Sequence, residues 1–233
     1  MSTVLPLVNT TQIWRYVDMP RFLSILENRA LFFTCVDQLE DPFEGSLSRS
    51  DYASYEDGLW EASGDSGIAN GLWLEENRKN SIDQRRYTFC SCWHQSSFES
   101  AAMWKLYSDI GKGLAIQSTV ERLRHCLPAY IKTEPVRYID FETESTLERR
   151  FLTKRREFSH ERELRAIFSD DASVQKTGIN VPIEPDALIE KLVVAPFMPA
   201  WFRELVGKII VRYGCGFHVK TSVLECQPHH RVG

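Results

Sequence analysis

Apolar and polar positions along the chain follow two rhythms, one of period two and one of three to four. Gln12 to Val17 reads as a short strand. Asp18 is placed to cap the helix that follows, and Pro20 is tolerated in its first turn. Phe22, Ile25 and Leu26 then share one helical face. Ala30 to Val36 is a second strand, and Asp41-Pro42-Phe43-Glu44-Gly45 is a turn, with Pro presetting φ and Gly releasing the chain. Helical patterning returns around Tyr52–Ala62 and Gly71–Gln84, before a strand over Arg86 to Trp93. Ser96 and Glu99 form a capping-box pattern ahead of a helix on which Met103 and Tyr107 lie one turn apart. Gly113 to Gln117 is a strand, and Ser118 with Glu121 repeats the capping pattern. Tyr130 to Tyr138 reads as a strand interrupted near Pro135, and Glu144 to Glu157 as a charged helix. Strands follow at Leu164 to Phe168, whose start reaches back toward Glu161, at Ile179 to Ile183 and at Lys191 to Val194. Pro199 opens a helix to about Arg212, with Trp201, Leu205 and Ile209 on one face, and Phe217 to Leu224 closes the chain as a strand.

Strands and helices thus come in mixed order, without the βαβ rhythm of a parallel sheet. The expected class is α+β, with mixed or antiparallel sheets and flanking helices. Residues 1–233 read as a single domain carrying a helical insert around 46–85. Composition is that of a globular protein, 43% hydrophobic and 26% charged. A net charge of −4 disfavours broad binding to nucleic acid or anionic membrane, although one local groove would suffice for a nucleic-acid acceptor. Apolar runs such as Leu192 to Phe197 are far shorter than the roughly twenty residues of a bilayer span, so no membrane partner is expected. Met1 to Pro20 has neither a basic n-region nor a long apolar h-region, so no signal peptide is read. The 6 cysteines then read as reduced thiols in a cytoplasmic protein.

Common nucleotide and hydrolase motifs are missing: no Gly-x-Gly-x-x-Gly, no Walker A loop, no Gly-x-Ser-x-Gly elbow. Cys90-Ser91-Cys92-Trp93-His94 invites a zinc reading with Cys215, Cys226, His229 and His230, but a C-x-C pair on a strand turns both thiols to one face, so no metal is expected. If Glu161-Arg162-Glu163 is extended, its carboxylates project to one face about 7 Å apart. One could bind a ribose hydroxyl beside an oxocarbenium-like centre while the other orients an acceptor. The plainer reading makes both the solvated end of an edge strand, paired with Arg162, Arg165 or the run Lys154-Arg155-Arg156. Arg15, between Trp14 and Tyr16, suits either a pyrophosphate grip or a surface arginine covering apolar neighbours. Trp104 and Tyr107 suit either core packing or stacking on a cofactor.

Taken in order, Trp14-Arg15-Tyr16, Phe22-Leu23-Ser24-Ile25-Leu26-Glu27-Asn28, Leu31-Phe32-Phe33, the Asp41–Gly45 turn, Phe89-Cys90-Ser91-Cys92, Met103-Trp104-x-x-Tyr107 with Gly111 and Gly113, and Glu161-Arg162-Glu163-Leu164-Arg165 resemble a bacterial family known as domain of unknown function 2971. The resemblance covers nearly the whole chain. Arg15, Ser91 and Glu161-x-Glu163 also resemble, in their order along the chain, the arginine, serine and Glu-x-Glu motifs of toxin-type ADP-ribosyltransferases. That second resemblance implies NAD as substrate. Arg15 would hold a phosphate or the nicotinamide ribose, with Tyr16, Trp104 and Tyr107 among the cofactor-binding residues. Ser91 would position Glu163, Glu163 would bind the ribose 2′-hydroxyl, and Glu161 would address the acceptor, whether protein, nucleic acid or small molecule. A bacterial toxin or antiphage system, with a partner subunit, is the setting it implies. The sequence departs from the pattern where Ser-Thr-Ser becomes Cys90-Ser91-Cys92, and Trp93, Trp104 and Tyr107 compete for the nicotinamide-stacking place. Two other classes stay open: a non-catalytic nucleotide- or protein-binding subunit using Trp60, Trp73 or Trp201, and a metal-dependent nuclease using Asp37, Asp41 and Glu44. The nuclease would want acid-x-Lys where Glu161-x-Glu163 stands.

Overall fold

The computed structural model describes residues 7–53, 75–76, 79–80, 82–107, 113–173 and 176–226. Most of the expected insert, including Trp60 and Trp73, lies outside them, as do His229 and His230. The ends of that region that are described, 49–53 and 82–85, are helical. The chain divides into two compact units. One is drawn from Phe33–Cys92 and Tyr130–Ile179, the other from Leu7–Phe32, Trp93–Ala129 and Asn180 onward.

In the second unit, β1 (Gln12–Asp18) pairs antiparallel with β4 (Gly113–Thr119) along its full length, from Gln12↔Thr119 to Asp18↔Gly113. β4 pairs antiparallel with β10 (Lys191–Val194), and β10 runs parallel to β11 (His218–Thr221). On its other side β1 meets the end of β3 (Thr88–Gln95) at Trp14↔His94. Helix α1 (Met19–Asn28) starts as the sequence predicts: the Asp18 carboxylate accepts from the Arg21 N–H at 2.7 Å, and Phe22, Ile25 and Leu26 are buried. Helix α2 (Ala101–Tyr107) is capped by Ser100, whose hydroxyl accepts from the Met103 N–H at 3.3 Å, rather than by Ser96. Helix α3 (Val120–Cys126) is capped by Thr119 and not Ser118, whose hydroxyl donates instead to the Leu188 carbonyl at 2.6 Å. After the one-turn helix α4 (Pro185–Leu188), helix α5 (Ala200–Arg212) buries Phe202, Val206 and Ile210. The expected face of Trp201, Leu205 and Ile209 is turned one residue away, with Trp201 61% exposed. Apolar residues come in adjacent pairs on this helix, so two stripes about 100° apart are equally apolar and only packing chooses between them.

In the first unit, β8 (Glu163–Ser169) pairs antiparallel with β5 (Lys132–Pro135), from Lys132↔Ile167 to Pro135↔Leu164. β8 also pairs with β3, so it is not an edge strand. β2 (Ala30–Cys35) and β3 contribute residues to both units; within this one they pair antiparallel at Thr34↔Cys90 and Cys35↔Phe89. β9 (Gly178–Pro182) matches the expected strand near Ile179. β6 (Arg137–Ile139) and β7 (Thr153–Arg155) form a short parallel pair.

The charged helix expected over Glu144 to Glu157 does not form. A 3-10 turn (Arg150–Leu152), β7 and a second 3-10 segment (Arg156–Glu161) take its place. Distant partners claim this segment: the Thr146 N–H donates to Asp51 at 2.9 Å, and Thr153–Arg155 pairs in register with Arg137–Ile139 as a strand.

The class is therefore α+β, as expected, with mostly antiparallel pairing and helices flanking the strands. Among the described residues no helix is long and apolar enough to cross a membrane.

Candidate functional site: a buried charge network around Glu163

Glu163 opens β8, and Arg162 before it takes a left-handed backbone (φ 42°) that ends the 3-10 segment. Glu161 is thus the last residue of a 3-10 turn and not part of an extended strand. Both carboxylates still reach one place. The Lys154 ammonium lies 2.6 Å from Glu161 Oε2 and 3.6 Å from Glu163 Oε2. It also lies 3.3 Å from Glu44 Oε1 and 4.7 Å from the Phe158 ring centre.

Arg165 shares the strand face of Glu163, two residues on. Its Nε donates to Glu163 Oε1 at 2.6 Å, its Nη2 to Oε2 at 3.2 Å, and its Nη1 to the Phe151 carbonyl at 3.0 Å. Arg165 Nη2 also pairs with Glu44 Oε2, as an ion pair without hydrogen-bond alignment. Residue exposures are 1% for Arg165, 2% for Glu44, 4% for Glu163, 6% for Glu161 and 8% for Lys154. Among these five described groups, three carboxylates therefore meet two cations out of water, a formal balance of one negative charge.

Burial works against the charge on Glu163, but Arg165, by charge and hydrogen bond, with Lys154 and the Cys92 thiol, holds its carboxyl well below the usual carboxylate range. Burial likewise works against Lys154, yet Glu163, Glu44 and Glu161 raise it above an ordinary lysine, so it stays a cation. The Tyr138 hydroxyl accepts from the Glu163 backbone N–H at 2.7 Å, and burial together with the Glu163 charge pushes that phenol up. The Cys92 thiol is pushed well up by its contact with Cys90 and by burial, so it stays protonated.

The plainer sequence reading named two of the right partners, Lys154 and Arg165, and the structure removes them from solvent. Glu44 was legible as a turn residue and as one of the acids of a nuclease, not as a partner of these cations. Arg165 carries the one signal that could have exposed the network, an arginine between Leu164 and Ala166 with a carboxylate two residues before it.

Ser91 is 1% exposed and lies between Cys90 and Cys92, whose thiols share one strand face 3.9 Å apart. Strand alternation directs Ser91 to the other face, and it is the Cys92 thiol that bonds Glu163. All 6 cysteines are free, as the thiol reading expects.

The candidate cofactor residues belong to the second unit, where Tyr16 and Trp104 meet and Arg15 lies on the other strand face. Arg15 is half-buried, its guanidinium 5.9 Å from the Trp93 ring centre and its Nη2 donating to the Phe32 carbonyl at 3.2 Å. Tyr16 lies on the opposite face of β1, beside Trp14, with its ring edge-on to Trp104 at 4.9 Å. Its hydroxyl accepts from the Ser100 N–H at 2.8 Å, and burial pushes the phenol up to about 12. The Trp104 indole N–H donates to Glu99 at 3.2 Å, and Trp104 is buried with Trp14, Tyr16 and Met103 in one apolar cluster. Tyr107, at the end of α2, is 42% exposed. Among the described residues no group of three or more His, Cys, Asp and Glu side chains has metal-holding geometry.

No protein-family model matches the chain, and no curated protein matches it. Solved structures of Thermus sp. 2.9 DarT do. The complex with ADP-ribosylated ssDNA is 10% identical, aligns over 94% of this chain and 96% of that one, and has a TM-score of 0.45. The complex with NAD+ is 12% identical over 95% and 100%, with a TM-score of 0.43. The complex with carba-NAD+ is 11% identical over 92% and 96%, with a TM-score of 0.40. At that level of similarity, function has to be read from the side chains themselves.

Proposed function

We propose that this chain is an NAD-dependent ADP-ribosyltransferase-like or NAD glycohydrolase-like effector, with Glu163 as its central carboxylate. The observation that carries the reading is the buried cluster of Glu44, Glu161 and Glu163 with Lys154 and Arg165, three carboxylates to two cations among the groups named, in which Glu163 is held ionised. NAD needs little covalent help to react. The bond between the anomeric carbon and the nicotinamide nitrogen breaks, its electron pair leaves with neutral nicotinamide, and the ribosyl carbon becomes oxocarbenium-like. A fixed negative charge beside that carbon stabilises the transition state more than the ground state. Glu163 Oε2, the oxygen with the longer cation contacts, would accept the hydrogen bond of the ribose 2′-hydroxyl. Glu161, on the same lysine, is the carboxylate that would face the acceptor.

The rival reading, a non-catalytic nucleotide- or protein-binding subunit, draws on the same burial: both Glu163 oxygens are already ion-paired. Nicotinamide release by the wild type and by Glu163→Gln separates the two. Catalysis predicts release that falls about a hundredfold or more in the variant while the fold is retained. A binding subunit predicts no release from either protein, with or without candidate protein, nucleic-acid or small-molecule acceptors.

A further inference from the structure

The Asp41–Gly45 turn is built more tightly than a surface turn requires. The Asp41 carboxylate accepts from the Phe43 N–H at 3.1 Å, and the Glu44 N–H donates to the Asp41 carbonyl at 3.1 Å. Asp41 also pairs with Arg155 at 3.0 Å, whose guanidinium lies 4.5 Å from the Phe43 ring centre. Gly45 has φ +73°, and a Cβ there would lie 2.6 Å from the Phe151 ring. Phe151 is the residue whose carbonyl receives Arg165. The turn therefore seats Glu44 against Arg165 and Lys154, the two cations that touch Glu163, while Glu44 pairs with neither of the other carboxylates.

We propose that Glu44 and Lys154 are positioning residues for Glu163: brought in by the Asp41–Gly45 turn and by β7, Lys154 holds the Glu163 carboxylate in one orientation, and Glu44 offsets the two cations that touch it. This rests on the NAD-cleavage reading of Glu163 and deepens it. The groups facing Glu163 are Arg165 from its own strand, Lys154 from β7, Glu161 from the 3-10 segment, Cys92 from β3 and Tyr138 from β6, with Glu44 behind the two cations. Glu44 draws part of the cationic charge to itself. Without it, the formal balance of the five groups would rise by one unit, and the site would offer less negative charge to a cationic ribosyl centre. Without Lys154 all three carboxylates would lose a shared cation, and the Glu163 carboxyl would take up a proton more readily.

The test uses the full chain, with Lys154→Met, Glu44→Gln and the double variant. It has two readouts: carbon-13 NMR titration of the glutamate carboxyls, and the pH profile of nicotinamide release. Lys154→Met should raise the Glu163 midpoint by on the order of one pH unit or more, and the acid limb of the pH profile with it. Glu44→Gln should lower kcat on the order of tenfold with little change in KM for NAD. The double variant restores the formal balance of one negative charge among the named groups, so its midpoint should return toward that of the wild type. A merely structural role would lower Tm in all three while leaving the midpoint and the acid limb in place, and that result overturns the proposal. Should Lys154→Met fail to fold, Glu44→Gln and Lys154→Arg decide: wild-type kcat in Glu44→Gln, or a displaced midpoint in Lys154→Arg, overturns it. If the wild type releases no nicotinamide with or without candidate acceptors, the NAD reading falls. The titration still decides whether Glu44 and Lys154 govern the charge on Glu163.

Discussion

Two carboxylates buried in the same unit, Asp51 and Glu163, are satisfied by opposite means. Asp51 Oδ2 is surrounded by neutral donors: the Ser48 N–H at 3.1 Å, the Thr146 N–H at 2.9 Å and the Thr146 hydroxyl at 2.6 Å. Burial works against its charge, but hydrogen bonds from Ser145, Thr146 and Ser48 hold it below the usual carboxylate range. Glu163 reaches a low value through cations instead. A cage of neutral donors stabilises one charge and depends on no other titration, so Asp51 acts as a knot tying the segment after the turn to Thr146. A cage of charges depends on every member, and its balance can be altered from a distance. Glu163 is therefore the carboxylate whose strength neighbours can tune, which is a property chemistry uses.

The largest expected effect tests that contrast directly. Lys154→Met should cost about 3–5 kcal/mol in denaturant unfolding, because it leaves carboxylates buried without their shared cation. Asp51→Ala should cost less, about 2–3 kcal/mol, since it removes one carboxylate from neutral donors and strands no opposite charge. Gly45→Ala should cost about 1–3 kcal/mol, measured the same way, through the left-handed backbone and the Phe151 ring, and should disturb the Glu163 cage while sparing that of Asp51. In pH-dependent unfolding the two carboxylates act with the same sign. Their folded values lie below their unfolded ones, so their contributions are complete above the unfolded carboxyl range near pH 4 and fade as pH falls through the folded values. The denaturation midpoint should therefore drop below about pH 4, and Asp51→Asn should flatten only its own part of that drop. The smallest effect belongs to salt: raising ionic strength from about 0.05 to 0.5 M should hardly move the stability of either cage, because buried groups are weakly screened. A large loss in salt would show the Glu163 network to be open to solvent.

Local chemistry accounts for what was legible in the sequence. Asp18 caps α1 because a carboxylate before a helical face has free N–H groups within reach, and Pro42 and Gly45 mark their turn by backbone geometry alone. The strands β1, β4 and β10 follow from their own apolar patterning. The helix expected over Glu144 to Glu157 failed because Asp51 takes the Thr146 N–H and Thr153–Arg155 pairs as a strand with Arg137–Ile139, partners that a linear reading cannot see. The face of α5 failed because two adjacent stripes are equally apolar, and only the packing of Phe202, Val206 and Ile210 decides.

The sequence by itself determined the α+β class, most of the strands, the turn, and the two glutamates with the cations able to pair with them. Residue type and spacing carry that information, since periodicity and turn preference act over a few residues. The tertiary structure alone decided that Glu44, 119 positions before Glu163, joins Glu161, Lys154 and Arg165 around it, and that all five groups lie out of water. Charge in a protein is a matter of distance and solvent, and neither is written along the chain.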